Sequence, residues 1–286
     1  MYKIAILGCE NSHAATFLRL IQGGAYPEIE VAGVYSEDMS AAEKLNKDFG
    51  VQIMPSSDSL AGKTDGIMIT ARHGDNHLKY ARAYLPYGIP MFIDKPITIS
   101  VKEADELVET AKKYGVRLCG GSTCGYVAEA EYLASLVKSE KLGEIVGGSL
   151  LCPFDPESVY GGFYFYAQHL VQIMLKVFGT DIKYVNATAQ ERAVSVIAGY
   201  GGFDVTCSYV ENEYYYYISV FGKKTAESKF LTVNEQSFCH ELNEMRDLLK
   251  GGAMRQSYEE FILPVKIMAA IERSYTERKI VHIAEV

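Results

Sequence analysis

The chain has no tryptophan and only eight prolines among 286 residues. It has no run of lysines or arginines, and its formal net charge is −8. Nucleic acid and anionic membrane are therefore poor partners. No uncharged apolar stretch reaches the roughly 18 residues that a spanning helix needs. Residues 1–8 show neither a basic leading segment nor a long apolar core, so no signal peptide is read there. A cysteine framework is also missing. Cys9, Cys119, Cys124, Cys152, Cys207 and Cys239 are scattered, and no second Cys/His pair at zinc-finger spacing follows Cys119 and Cys124. Reduced, mostly buried thiols in the cytoplasm fit this pattern better than disulfides. What remains is ordinary for a globular protein: 48% hydrophobic and 22% charged residues. The length suits two domains or one large one.

The first 120 residues alternate strand and helix. Apolar strands are expected at 2–8, 29–35, 51–54, 66–70, 90–94 and 116–119. Helices are expected at 14–21, 39–49, 76–87 and 101–114, with glycine after several of them. Such alternation implies an α/β fold, a doubly wound parallel sheet with helices on both faces. The pattern changes after residue 120. Helices at 129–138, 164–178, 237–250 and 258–272 are mixed with strands at 143–151, 182–190, 193–200, 203–210, 214–221 and 280–283. Gly201-Gly202 and Glu211-Asn212-Glu213 read as hairpin turns. The division is thus 1–120, a parallel-sheet domain, and 121–286, an α+β domain with a mainly antiparallel sheet. Tyr214 to Tyr217 in one strand would place two rings on each face. An uncovered apolar face is often an oligomer interface; the alternative is a half-buried strand in a monomer.

Asp94-Lys95-Pro96 ends the strand at 90–94. A lysine there points toward the crevice where open α/β sheets bind ligands, and the proline stops the ladder because it has no N–H. The plainer reading is a strand-ending lysine that reaches solvent.

Several motifs in order resemble the Gfo/Idh/MocA family of NAD(P)-dependent oxidoreductases along nearly the whole chain. Asp94-Lys95-Pro96 is similar to that family's Glu-Lys-Pro motif. Ile69-Thr70 followed by His77 and Gly88 has the family's spacing. Lys141-Leu142-Gly143-Glu144-Ile145-Val146 is similar to its entry into the second domain. Gly161-Gly162 with His169 and Gly179 resembles its Gly-Gly…His…Gly helix, and the stretch from Ser257-Tyr258-Glu259 to Arg273-Ser274 also matches in pattern. The resemblance implies a Rossmann domain at 1–120 and a C-terminal sheet domain that forms homodimers or homotetramers. It also implies hydride transfer between nicotinamide and a hydroxyl or carbonyl of a sugar- or polyol-like molecule, with Lys95 near the reacting hydroxyl. Lys95 and His169 are then catalytic candidates. An amine serves as general base only where its surroundings favour the neutral form.

The chain departs from the family in three places. The phosphate loop should read G-x-G-x-x-G. Here it is Gly8-Cys9-Glu10-Asn11-Ser12-His13, with a carboxylate in place of the second glycine. Either Glu10 turns to solvent and a cofactor binds in a shifted pose, or the loop serves another ligand or none. The second option leads to an alternative function, a non-redox ligand-binding relative without a dinucleotide. After the strand at 29–35 the expected acid is Ser36, followed by Glu37 and Asp38. Two acids and no nearby Arg or Lys lean toward NAD over NADP. Phe165 stands where the family often has aspartate. Tyr166 shares a helical face with His169 and is a catalytic candidate or a packing residue. The cofactor-binding set is thus Gly8, Glu10, Asn11, Ser12, His13, Ser36, Thr70, His77, Asp94 and Lys95. Substrate candidates are Arg72, Lys95, Ser122, Tyr166 and His169. His73 and His77 are read as lining the nicotinamide side rather than as metal ligands, and no metal is expected. Cys9 has no evident base to make it a nucleophile.

Overall fold

The architecture comes from a computed structural model, which describes every residue except Asn212 and Glu213. The chain folds as two units. One comprises residues 1–121 and 238–262, the other 122–237 and 263–286.

The first unit is built on β1 (Tyr2–Leu7), β2 (Ile29–Tyr35), β3 (Gly66–Ile69), β4 (Met91–Asp94) and β5 (Leu118–Gly121). Helices α1 (Ser12–Leu20), α2 (Met39–Phe49), α3 (Asp75–Ala81) and α4 (Val101–Tyr114) alternate with them. The strands run parallel in the order β2-β1-β3-β4-β5. β3 and β4 are buried at every position, as expected for strands covered on both faces. Residues 51–54 do not form a strand of their own; Ile53 makes only an isolated bridge to Val34. The chain leaves β1 for β2 on one side and reaches β3 on the other. This reversal opens a crevice at the carboxyl ends of β1 and β3.

Local chemistry sets the helix ends. Asn11, Asp38 and Ser100 cap α1, α2 and α4 by accepting backbone N–H bonds. Gly50 and Gly115 end α2 and α4 in left-handed geometry. In the core, Phe17 meets Phe92 and Phe238 edge-on, with centroids 5.3 and 5.8 Å apart. Leu242, Met245 and Leu248 are buried in the same core.

The second unit contains α5 (Ala128–Lys138), β6 (Ile145–Pro153), α6 (Tyr164–Phe178), β7 (Tyr184–Gln190), β8 (Ala193–Gly199), β9 (Asp204–Val210), β10 (Tyr216–Gly222) and β11 (Ala226–Leu231). Helix α7 (Glu235–Leu249) belongs to the first unit from residue 238 on, α8 (Tyr258–Glu277) starts in the first unit and continues in the second, and β12 (Val281–His282) closes the second. The sheet order is β11-β10-β6-β9-β8-β7-β12. All pairings are antiparallel except β6 with β9. Gly201-Gly202 joins the antiparallel pair β8 and β9, as the sequence suggests. The second expected hairpin is not formed, because β6 lies between β9 and β10. Within that turn, Asn212 and Glu213 lie outside the described residues. Only Tyr216 and Tyr217 of the four tyrosines belong to β10, and Tyr214 has φ of 62°. β11 was not legible in the sequence: AESKFL is a largely exposed edge strand with little apolar signal.

Candidate active site

In the first unit, four loops converge at the carboxyl ends of the strands. Gly8 turns out of β1 with φ of 75°, and a Cβ there would lie 2.4 Å from Ala71 Cα. Only glycine permits this approach. Thr70 Oγ1 donates to the Gly8 carbonyl at 3.0 Å. The His77 ring sits 2.9 Å from the Ala71 carbonyl through Nε2 and 3.1 Å from the Ile97 carbonyl through Nδ1. The ring is fully buried, and burial lowers its pKa against the opposing pull of both carbonyls and Asp94.

Asp94 is the hub. Its Oδ2 accepts from Asn11 Nδ2 at 3.1 Å and meets His13 Nδ1 at 2.7 Å. Its Oδ1 accepts from the Lys95 N–H at 2.7 Å. Burial pushes its carboxyl up, but His13 and the charge of Lys95 outweigh burial and hold it below the usual range. One buried carboxylate thus ties the loop before α1 to the backbone of Lys95, itself only 5% exposed. His13 also rests edge-on against Phe238 at 5.0 Å.

Glu10 does not turn to solvent. Its Oε2 accepts from Ser36 Oγ at 2.6 Å and its Oε1 from the Arg72 N–H at 3.1 Å. The carboxylate therefore bridges the loops that follow β2 and β3. Burial and the Glu10 charge push the neighbouring Cys9 thiol up to about 12, so it is no nucleophile.

In the second unit, His169 projects from α6 and its Nδ1 lies 2.6 Å from Ser122 Oγ. Ser122 is fully buried and also accepts from the Cys124 N–H at 3.1 Å. Tyr166 lies one helical turn away, its ring 6.1 Å from that of His169. Tyr216 meets His169 edge-on at 5.7 Å. Tyr166 also walls a cavity of about 560 Å³ with Asp155, Glu157, Glu191, Glu211 and Arg192. Arg192 pairs with Glu211.

Thr70, His77 and Asp94 are fully buried and bonded within the protein, so they brace the loops around them. Ser36 is 2% exposed and engaged with Glu10 and the Asp38 N–H. Ser122 is fully buried, with its hydroxyl against His169. A lysine does stand near the end of β2, because the fold pairs Lys79 with Glu37. Gly8, Glu10, Asn11, Ser12, His13, Arg72 and Lys95 do gather along the sheet's carboxyl edge. Tyr216 and the acid-lined cavity went unnoticed, because they lie on loops and a strand without a motif.

The donor set suits a dinucleotide. Exposed Ser12 opens α1, whose first N–H groups favour an anion, and Glu10 is drawn onto Ser36. Residues 2–122 match the Gfo/Idh/MocA family model, described as an oxidoreductase family with an NAD-binding Rossmann fold. The N-terminal part of the chain, residues 2–122, is thus similar to this family. It is 30% identical over 149 residues to glucose-6-phosphate 3-dehydrogenase of Bacillus subtilis (strain 168). That match covers 51% of this chain and 41% of the enzyme, so the chain spans about two fifths of the curated relatives' length. Scyllo-inositol dehydrogenase from Lactobacillus casei, solved with NAD(H) and scyllo-inositol, superposes with a TM-score of 0.85 at 15% identity over 99% of each chain. Myo-inositol 2-dehydrogenase from Lactobacillus plantarum gives 0.84 at 16% identity, covering 98% of this chain and 99% of that one. These two likenesses establish the shared fold.

Proposed function

We propose that the chain is an NAD-dependent dehydrogenase or reductase acting on a hydroxyl or carbonyl of a sugar- or polyol-like molecule. One observation carries the reading. Lys95 is held at the carboxyl end of β4 by the same carboxylate that fixes the loop opening α1. The cofactor, when bound, supplies the hydride acceptor or donor. Lys95 exchanges the proton of the substrate hydroxyl at Nζ. His169, oriented by Ser122, and Tyr166 belong to substrate recognition and proton handling in the second unit. Carboxylates accept hydrogen bonds from vicinal hydroxyls, so the acid-lined wall beside Tyr166 supports a polyhydroxylated ligand. The relatives named above are all dehydrogenases, which gives the non-redox alternative no support.

The reading extends to cell context and assembly. Six free thiols, five of them buried, support a cytoplasmic location. A homodimer or homotetramer through the second unit's sheet is supported by Phe221 and Phe230, exposed at 41% and 65%. Among the described residues no helix is long and apolar enough to cross a membrane.

The test is Lys95→Met. Turnover with a screened polyol should fall about 10²- to 10⁴-fold, the usual share of general acid–base catalysis. NADH affinity should stay within a few-fold. Near-normal turnover would remove Lys95 from the chemistry.

A further inference from the structure

Glu10 stands where the family's phosphate loop has glycine, and the structure gives it a definite position. Both carboxylate oxygens are tethered, one by the Ser36 hydroxyl at 2.6 Å and one by the Arg72 N–H at 3.1 Å. In dinucleotide-binding sheets an acid near the end of the second strand holds the adenosine ribose. The two acids that follow β2 here are committed elsewhere. Asp38 caps α2, accepting from the Ser40 and Ala41 N–H groups and from Ser40 Oγ. Glu37 is exposed and paired with Lys79. The position itself is Ser36, and its hydroxyl donates to Glu10.

We propose that Glu10 is this chain's ribose-binding carboxylate. It reaches from the loop after β1 to the end of β2 and makes the site prefer NAD to NADP. This rests on the dinucleotide reading above. A carboxylate offers about four lone-pair sites. The two tethers occupy one on each oxygen, and the site left on each oxygen matches one of two vicinal hydroxyls. The tethers also fix the group beforehand, so little side-chain freedom is lost on binding. A 2′-phosphate in place of the hydroxyl would bring negative charge against Glu10. The nearby Lys79 does not cancel this, because it is paired with Glu37.

Calorimetric titration with NADH and with NADPH tests the assignment on the unaltered chain and on Glu10→Gln, Glu10→Ala and Ser36→Ala. The unaltered chain should bind NADH at least about tenfold tighter than NADPH. Glu10→Gln, which preserves size, should weaken NADH about tenfold or more, as loss of charged hydrogen bonds does, and should narrow the preference by a similar factor. Ser36→Ala should show a smaller loss in the same direction. NADH affinity within twofold of normal in both Glu10 variants would overturn the assignment while leaving cofactor binding intact. Tighter NADH binding by Glu10→Ala would also overturn it, by showing the carboxylate to be an obstacle. If the unaltered, folded chain binds neither nucleotide, both this assignment and the oxidoreductase reading fail.

Discussion

The two units hold their polar groups in different ways. In the first, Asn11, His13, Asp94 and Lys95 are joined through one fully buried carboxylate. In the second, a buried contact with Ser122 and the rings of Tyr166 and Tyr216 surround His169, and the acids near Tyr166 line a cavity. The family match covers residues 2–122 and stops where the first unit passes to the second, at Gly121 and Ser122. A buried, mutually satisfied network tolerates little change, since removing one member strands the others. A cavity lined from loops can change its residues without unfolding the scaffold. The comparison teaches that chemistry common to a family can be fixed in one unit while substrate choice drifts in the other.

Breaking the first network should have the largest effect. Asp94→Ala removes the partner of His13, Asn11 and the Lys95 N–H together. Each buried group left without its partner costs about 1–3 kcal/mol, so urea denaturation should show a loss of several kcal/mol, roughly 3–5. Dinucleotide affinity should fall as well, because Asn11 and His13 would no longer be held. A loss under about 1 kcal/mol would mean that Asp94 is not the hub. The matching change in the second unit should be milder. Ser122→Ala deletes the hydrogen bonds with His169 and the Cys124 N–H, so kcat should drop about tenfold and stability by about 1–3 kcal/mol. The pH profile of kcat should shift too, since the serine sets the ring's hydrogen bonding. A profile that stays in place would reduce Ser122 to packing.

Much of the first unit was legible in the sequence. Buried β runs and glycine-ended helices carry local signals, and Asp94-Lys95-Pro96 marked the site. The role of Glu10 was not legible. Read linearly, an acid in a phosphate loop opposes a cofactor; only the meeting of three loops shows it bonded to Ser36. Residues 238–262 join the first unit after a long excursion, and no local pattern announces that. β11 escaped because an exposed edge strand needs no apolar alternation. The mispredicted hairpin had the same root: turn residues show where a chain bends, not which strand it then pairs with.

The smallest expected effect separates His77 from Asp94 by protonation. His77 is fully buried and its pKa is lowered, chiefly by burial. Its folded value therefore lies below the unfolded value of about 6.5. Between those two values the unfolded chain binds the extra proton, so stability rises with pH. The contribution is complete above about pH 6.5 and is lost as pH falls toward the folded value. Asp94 is also lowered, but its unfolded value is near 3.9, so its contribution disappears only at much lower pH. The two windows are distinct. Denaturation at pH 7, 6 and 5 should show stability falling by up to about 1.4 kcal/mol per pH unit below 6.5. In His77→Gln that slope should flatten, while the decline below about pH 4 should persist. An unchanged slope in His77→Gln would mean that the ring is already protonated in the fold, bonding both the Ala71 and Ile97 carbonyls as a cation. The bracing of the first unit would then include a buried charge pair between His77 and Asp94.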